Sequence, residues 1–166
     1  MLEICVYPNP ILKVKCEPII DFGPHLSQLV NHMSITMTNG RGIGLAANQV
    51  GITKRIFVMN VGDSIKEYIN PEIIEGKGES KFKEGCLSFP GVFAFVKRYE
   101  TIKIKAKDMM GNDFEEELTG IEAICFQHEL DHLDGITFYD HLSSLQKNLL
   151  QKKMAQMKKK IQKKNS

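Results

Sequence analysis

The chain has 166 residues, 42% hydrophobic and 25% charged, with a formal net charge of +2; this is the profile of one soluble globular domain that buries a core without disulfides. No run approaches the roughly 18 apolar residues of a membrane span, and the opening MLEICVYPNPILKVKC lacks the basic start and unbroken apolar core of a secretory signal, so a cytoplasmic protein is expected. Four cysteines, Cys5, Cys16, Cys86 and Cys125, form no Cys-x-x-Cys pair, which argues against zinc ribbons and thioredoxin-type motifs and for free thiols in a reducing compartment.

In chain order, YPNPILKVKCEPI holds three prolines and reads as an extended, turn-rich segment. Leu26, Leu29, Val30, Met33 and Met37 recur at helical spacing, and the glycine-rich stretch after Thr38 closes that helix. RIFVMNV and KEYINPEII read as strands, the second interrupted at Asn70-Pro71. TIKIKAKD alternates apolar and basic residues, and DFEEELTG follows it across a Met110-Gly111-Asn112 turn, which predicts a hairpin. Thr119 then sits as N-cap of a helix through GIEAICFQHELDHL, with Glu122 in capping-box register and Gly135 as its stop. The last 26 residues place Leu142, Leu145, Leu149, Met154, Met157 and Ile161 at helical spacing, with eight lysines and no acid among them. Residues 1–140 are therefore net acidic, at −6, and carry a basic tail. The order of strands and few helices predicts an α+β fold of small antiparallel or mixed sheets around the helix that carries His-Glu-x-x-His, followed by a C-terminal helix. Residues 1–140 would form the catalytic domain, and 141–166 a Lys-rich helix of the same domain that does not fold alone.

CFQHELDHLDG (125–135) supplies the chemistry. His128 and His132 lie one turn apart and project from one face. In such helices both imidazoles reach one metal, and the adjacent Glu129 handles the proton of a metal-bound water. Two histidines leave a tetrahedral site half made. A metzincin would need histidine where Phe138 stands, no glutamate follows Glu129 to complete a thermolysin-like site, and the only later histidine is His141. The third ligand is thus expected upstream. Cys86, set in KEGCLSFPG among glycine and proline, is the leading cysteine; Cys125 shares the helix of both histidines and would give poor tetrahedral spread.

GIGLAANQ (42–49), EGCLS (84–88) and QHELDH (127–132) occur in the order and spacing of the three motifs of the peptide deformylase family, which they closely resemble. The opening YPNPIL is also similar to that family's start, so the resemblance covers residues 1 to about 140 and is closest to the compact bacterial type. It implies a metal-dependent hydrolase that removes the N-formyl group from the formylmethionine of nascent chains and releases formate. It implies Cys86, His128 and His132 as ligands of one divalent ion, usually Fe2+ in the cell, with Zn2+ or Ni2+ as substitutes. Two imidazoles and a thiolate alone would suggest zinc.

The resemblance further implies Gln49 and the backbone N–H of Leu87 as donors to the oxyanion, with Glu129 as general base and acid. Ile43, Gly44 and Gly85 would flank an extended substrate backbone. Ile43, Phe82, Ile121, Ile124 and Cys125 would line the methionine slot. Glu84 and Asp131 are assigned structural work, Asp131 pairing with Arg98. Asn48 stands at a variable motif position, and Phe93 and Phe95 occupy a region more polar in some relatives.

Two other classes compete. A zincin-like metallopeptidase lacks its downstream ligand, and a non-catalytic RNA-binding module would leave an exposed Gln49 amide and Glu129 without purpose. The lysine-rich tail is expected to dock the enzyme on ribosomal RNA by phosphate neutralisation; removing residues 147–166 would then weaken ribosome binding and spare hydrolysis of short peptides. A monomer is expected.

Overall fold

Two antiparallel sheets clasp one buried helix. A computed structural model describes residues 1–164. The larger sheet has the order β1-β2-β3-β6-β7, built from β1 (Gly44–Ala46), β2 (Ile56–Met59), β3 (Lys66–Lys77), β6 (Thr101–Lys107) and β7 (Asp113–Thr119). The smaller pairs β4 (Ser80–Cys86) with β5 (Phe89–Arg98). Three helices, α1 (Pro24–Asn39), α2 (Gly120–Leu133) and α3 (Ser144–Lys164), complete the α+β architecture. Among the described residues all strand pairs are antiparallel, and an isolated bridge between Glu17 and Lys54 is parallel.

The β6–β7 hairpin forms as its alternation predicts, with Ile102 and Ile104 inward and Lys103 and Lys105 opposite Glu117 and Glu115. Asn70-Pro71 bends β3 rather than ending it. Asn70 takes a φ of +49° at a register shift, and its side-chain amide bonds both backbone groups of Ile19, which ties the N-terminal segment to the sheet. Strands β1, β4 and β5 were not anticipated: β1 is three residues inside a glycine-rich run, and β5 is apolar on both faces, so its period of two is hidden.

The helix α2 lies across the larger sheet on an aromatic bed. Phe126 meets Phe57 edge-on at 5.0 Å and Tyr68 at 5.1 Å, above Ile102, Ile104 and Leu118. Its opposite side is covered by β4 and β5, so nine of its fourteen residues are buried, polar ligands included. The expected capping box is absent. Thr119 remains the last rung of β7, paired with Thr101, and its side chain makes no cap bond; Glu122 lies instead 4.0 Å from Lys66 Nζ. Gly135 ends the helix as expected, with φ +75° and its N–H on the His132 carbonyl. A side chain there would overlap the Lys13 carbonyl.

The buried stripe of α3 keeps Met154 and Met157 of the expected residues and adds Leu150. Leu150, Met154 and Met157, at i, i+4 and i+7, pack on Phe89, Val92, Val96 and Phe138, whereas Leu145, Leu149 and Ile161 are exposed. Leu142 is buried but precedes the helix. Truncation at 147 would therefore uncover the back of β5, whose front borders the site described next.

Candidate metal centre and active-site cavity

Two chain segments converge on one point. His128 and His132 project from α2, and Cys86 ends β4, where the β4–β5 register slips between Gly85 and Cys86. Cys86 Sγ lies 3.3 Å from His132 Nε2, and the two Nε2 atoms lie 3.2 Å apart. All three donor atoms fall within 4.8 Å of one another, the only such group of three among the described residues. Bonds of about 2.0–2.3 Å in a tetrahedral site put ligand atoms roughly 3.3–3.6 Å apart, so these spacings fit one metal ion. The tautomer fits as well: His128 Nδ1 lies 2.8 Å from Glu84 Oε1 and donates to it, which leaves the Nε2 lone pair facing the cluster. Both histidines are buried with their Nε2 atoms 3.2 Å apart, a spacing that a cation bound to both would fill.

Behind the ligands stands a buried ion network. Both Glu84 oxygens take hydrogen bonds from Arg98, at 2.8 and 2.9 Å, and Arg98 also donates to Asp131 at 2.6 Å. The Arg98–Asp131 pair matches the expectation; the Glu84 bond to His128 goes beyond it. Burial alone would raise the Glu84 carboxyl, but bonds from Arg98 and His128 hold it below the usual carboxylate range. Burial opposes charge on His128 too, yet hydrogen bonds to Cys86 and Glu84 raise it well above an ordinary histidine. His132 is pushed well below by burial and by the charge of His128.

Cys86 and His128 border a cavity of about 500 Å³, while His132 is fully buried beside them. The cavity walls include Ile43, Gly44, Phe82, Gly85, Ile121, Ile124 and Cys125, all seven residues expected to hold the substrate backbone or the methionine side chain, whereas Gln49, the expected oxyanion donor, does not border it. Leu87 and Phe93, both singled out in the sequence, border it as well, together with Phe89 and Val92, which were missed because β5 was not recognised. Ile124 and Cys125 are buried, while Ile43 and Ile121 are half exposed at the rim. Gly44 is glycine for a steric reason: a Cβ there would overlap Glu129 Oε1 and come within 2.9 Å of Cys125 Sγ. Glu129 is 3% exposed, its Oε2 has no hydrogen-bond partner, and burial pushes its carboxyl up to about 7.

Gln49 is not the exposed amide that the competing readings supposed. It is 1% exposed: its Oε1 accepts the Ala46 N–H, and its Nε2 lies 3.0 Å from Ser88 Oγ and 3.5 Å from Cys86 Sγ. Ser88, the last letter of EGCLS, is thus a positioning partner that residue reading missed. Asn48, read only as a variable position, donates from Nδ2 to the His132 carbonyl at 2.5 Å and fixes the last turn of the ligand helix.

Among the described residues no helix is long and apolar enough to cross a membrane. The sequence model of the polypeptide deformylase family matches residues 1–148. The chain is 45% identical to a peptide deformylase of Heliobacterium modesticaldum over 86% of its length and 94% of that protein. It is 41% identical to one from Chromobacterium violaceum over 96% and 97%. A crystal structure of a peptide deformylase from Legionella pneumophila superposes with a TM-score of 0.91 at 37% identity, covering 96% of each chain. A metallopeptidase reading is not favoured. The chain belongs to the polypeptide deformylase family and is a metal-dependent hydrolase that removes the N-formyl group from nascent peptides.

Proposed function

We propose that Cys86, His128 and His132 hold one divalent ion, Fe2+ in the cell, and that the surrounding residues divide the reaction as follows. The observation that carries this reading is the convergence of one thiol and two imidazoles at an apolar cavity, beside a buried carboxyl. When bound, such an ion activates water as the nucleophile and polarises the formyl carbonyl. Glu129 takes the proton from the attacking water and passes it to the departing amine. A carboxyl that burial raises to about 7 is suited to both transfers near neutral pH. The Gln49 amide and the Leu87 N–H steady the negative charge that develops on the carbonyl oxygen; the Ala46 and Ser88 bonds to Gln49 support this by fixing the direction of its N–H groups.

Ile43, Gly44 and Gly85 take the substrate backbone, and Phe82, Ile121, Ile124 and Cys125 take the methionine side chain. A cavity of this lining suits one unbranched apolar side chain. Residues 1–140 act as the catalytic domain, with 141–166 as a helix of the same domain. The protein works as a cytoplasmic monomer, and the lysines of α3, seven of them exposed, face ribosomal RNA. The test is an anaerobic assay of formate release from a formyl-Met tripeptide with Fe2+ supplied. Formate is expected; none from correctly metallated protein rejects the assignment.

A further inference from the structure

We infer that His141 is a positioning residue for the metal centre, acting through Asp131, Arg98 and Glu84 on the imidazole of His128. The inference rests on His128 being a metal ligand. The side chains form an unbroken series from the surface to the cluster. His141 Nε2 lies 2.8 Å from Asp131 Oδ2, and that same oxygen accepts from Arg98 Nη1 at 2.6 Å. Arg98 donates from its other two nitrogens to Glu84, and Glu84 Oε1 meets His128 Nδ1 at 2.8 Å. Side-chain exposure falls along the series, from 39% at His141 and 23% at Asp131 to 4% at Arg98 and Glu84.

The His141 nitrogen also lies 3.4 Å from Arg98 Nη1. The Asp131 carboxylate can only accept, so His141 presents an N–H to it, and two donors converge on one carboxylate oxygen. The Asp131 carboxylate borders a second cavity of about 370 Å³ together with Tyr99, Gln127 and Leu130. His141 stands at that cavity and gives Asp131 a second fixed partner where water would otherwise compete. The turn that carries it is itself pinned: Asp140 accepts the Thr137 N–H at 2.9 Å. Phe138 in the same turn is buried and stacks on the His128 ring, with centroids 6.1 Å apart at 26°. One short turn therefore holds the ligand from its face and, through three side chains, from its Nδ1.

The test uses the full chain loaded with Co2+, whose thiolate absorption reports the bound ion, and times its loss to excess EDTA. His141→Phe should release Co2+ about 3–10 times faster than the parent, the low end of effects seen for residues beyond the ligands. His141→Gln, which keeps an N–H donor, should stay within about twofold of the parent. Thermal melts of the metal-free variants separate fold from positioning. Should His141→Phe melt early, His141→Asn, too short to reach Asp131, replaces it with the same expected acceleration. Equal release from the parent and the donor-less variant, or equal release from the Gln and donor-less variants, overturns the inference. Absence of the thiolate band in the parent would instead reject the ligand assignment.

Discussion

Glu84 joins His128 across 44 residues of sequence, its Oε1 2.8 Å from the ligand's Nδ1, while Arg98 grips both of its oxygens. The contact ties β4 to α2, so the strand that ends in Cys86 and the helix that carries both histidines share one buried charge. Glu84→Gln should cost about 3–5 kcal/mol, because it leaves the Arg98 charge buried with only Asp131 against it. The sign of the pH effect follows from a lowered carboxyl. Its stabilisation is fully present above the unfolded value of 4.5 and is lost as pH falls through the still lower folded value. Melts of metal-free protein should therefore show the parent advantage shrinking as pH falls below 4.5. An advantage that stays constant through that fall contradicts the pairing.

Cys86→Ala should abolish stoichiometric metal binding. Two histidines on one helix remain, and a chelate lacking its thiolate and the strand that carries it loses affinity by at least about 100-fold, beyond what partners of the ligands contribute. Metal content after dialysis reads this directly. Retention of a full equivalent would mean that the ion sits elsewhere.

How much of this centre was legible in the chain depended on the range of each contact. His128 and His132 announce themselves because the helical period alone places them on one face. Cys86 followed from exclusion of the downstream ligands and from its motif. The Glu84–His128 bond, the burial of Gln49 and the Asn48 hold on His132 lie beyond periodicity, because each spans two layers that only the tertiary fold brings together. In α3 the helical spacing includes Met154 and Met157, which do pack, but omits Leu150, for a related reason. A lysine-rich helix offers overlapping apolar rows, and the shape of β5 decides which is buried.

Leu150 is the most buried side chain of α3, at 6% exposure, and contributes to the cluster of Phe89, Val92 and Val96 behind the cavity. Leu150→Ala should destabilise the protein by about 2–3 kcal/mol, the low end for a buried leucine because α3 closes the core from one side only. Leu149→Ala, 57% exposed, should change stability by less than about 0.5 kcal/mol. Urea denaturation of both variants decides between the two stripes. A larger loss at Leu149 would reverse the assignment.

Charge reversal in α3 separates its surface from its packing. Lys158, Lys159 and Lys160 are exposed, and changing all three to glutamate leaves Leu150 and Met154 in place. Ribosome affinity should fall, and the slope of log K against log salt should shallow by about 0.7–0.9 for each lost phosphate contact. Hydrolysis of a free formyl tripeptide should stay at the parent rate. Undiminished ribosome affinity would remove the docking role from the tail.

Glu129→Gln separates proton transfer from metal binding. The substitution is isosteric, and Gly44 and Cys125 crowd the side chain closely enough to hold an amide where the carboxylate stood. Cys86, His128 and His132 are untouched, so metal content should equal that of the parent. An amide accepts no proton from the attacking water, and kcat for formate release should fall by about 10²–10⁴ with KM little changed. Because burial raises the native carboxyl from 4.5 to about 7, folded metal-free parent holds a proton between those values that the unfolded chain has released. Stability of the parent therefore declines as pH rises through that window, and the Gln variant, with nothing to ionise, should gain on it by about 2–3 kcal/mol at pH 8. Full turnover in the amide variant would end the proton-carrier role; an identical pH dependence of the two melts would show that the carboxyl is not held in an apolar site.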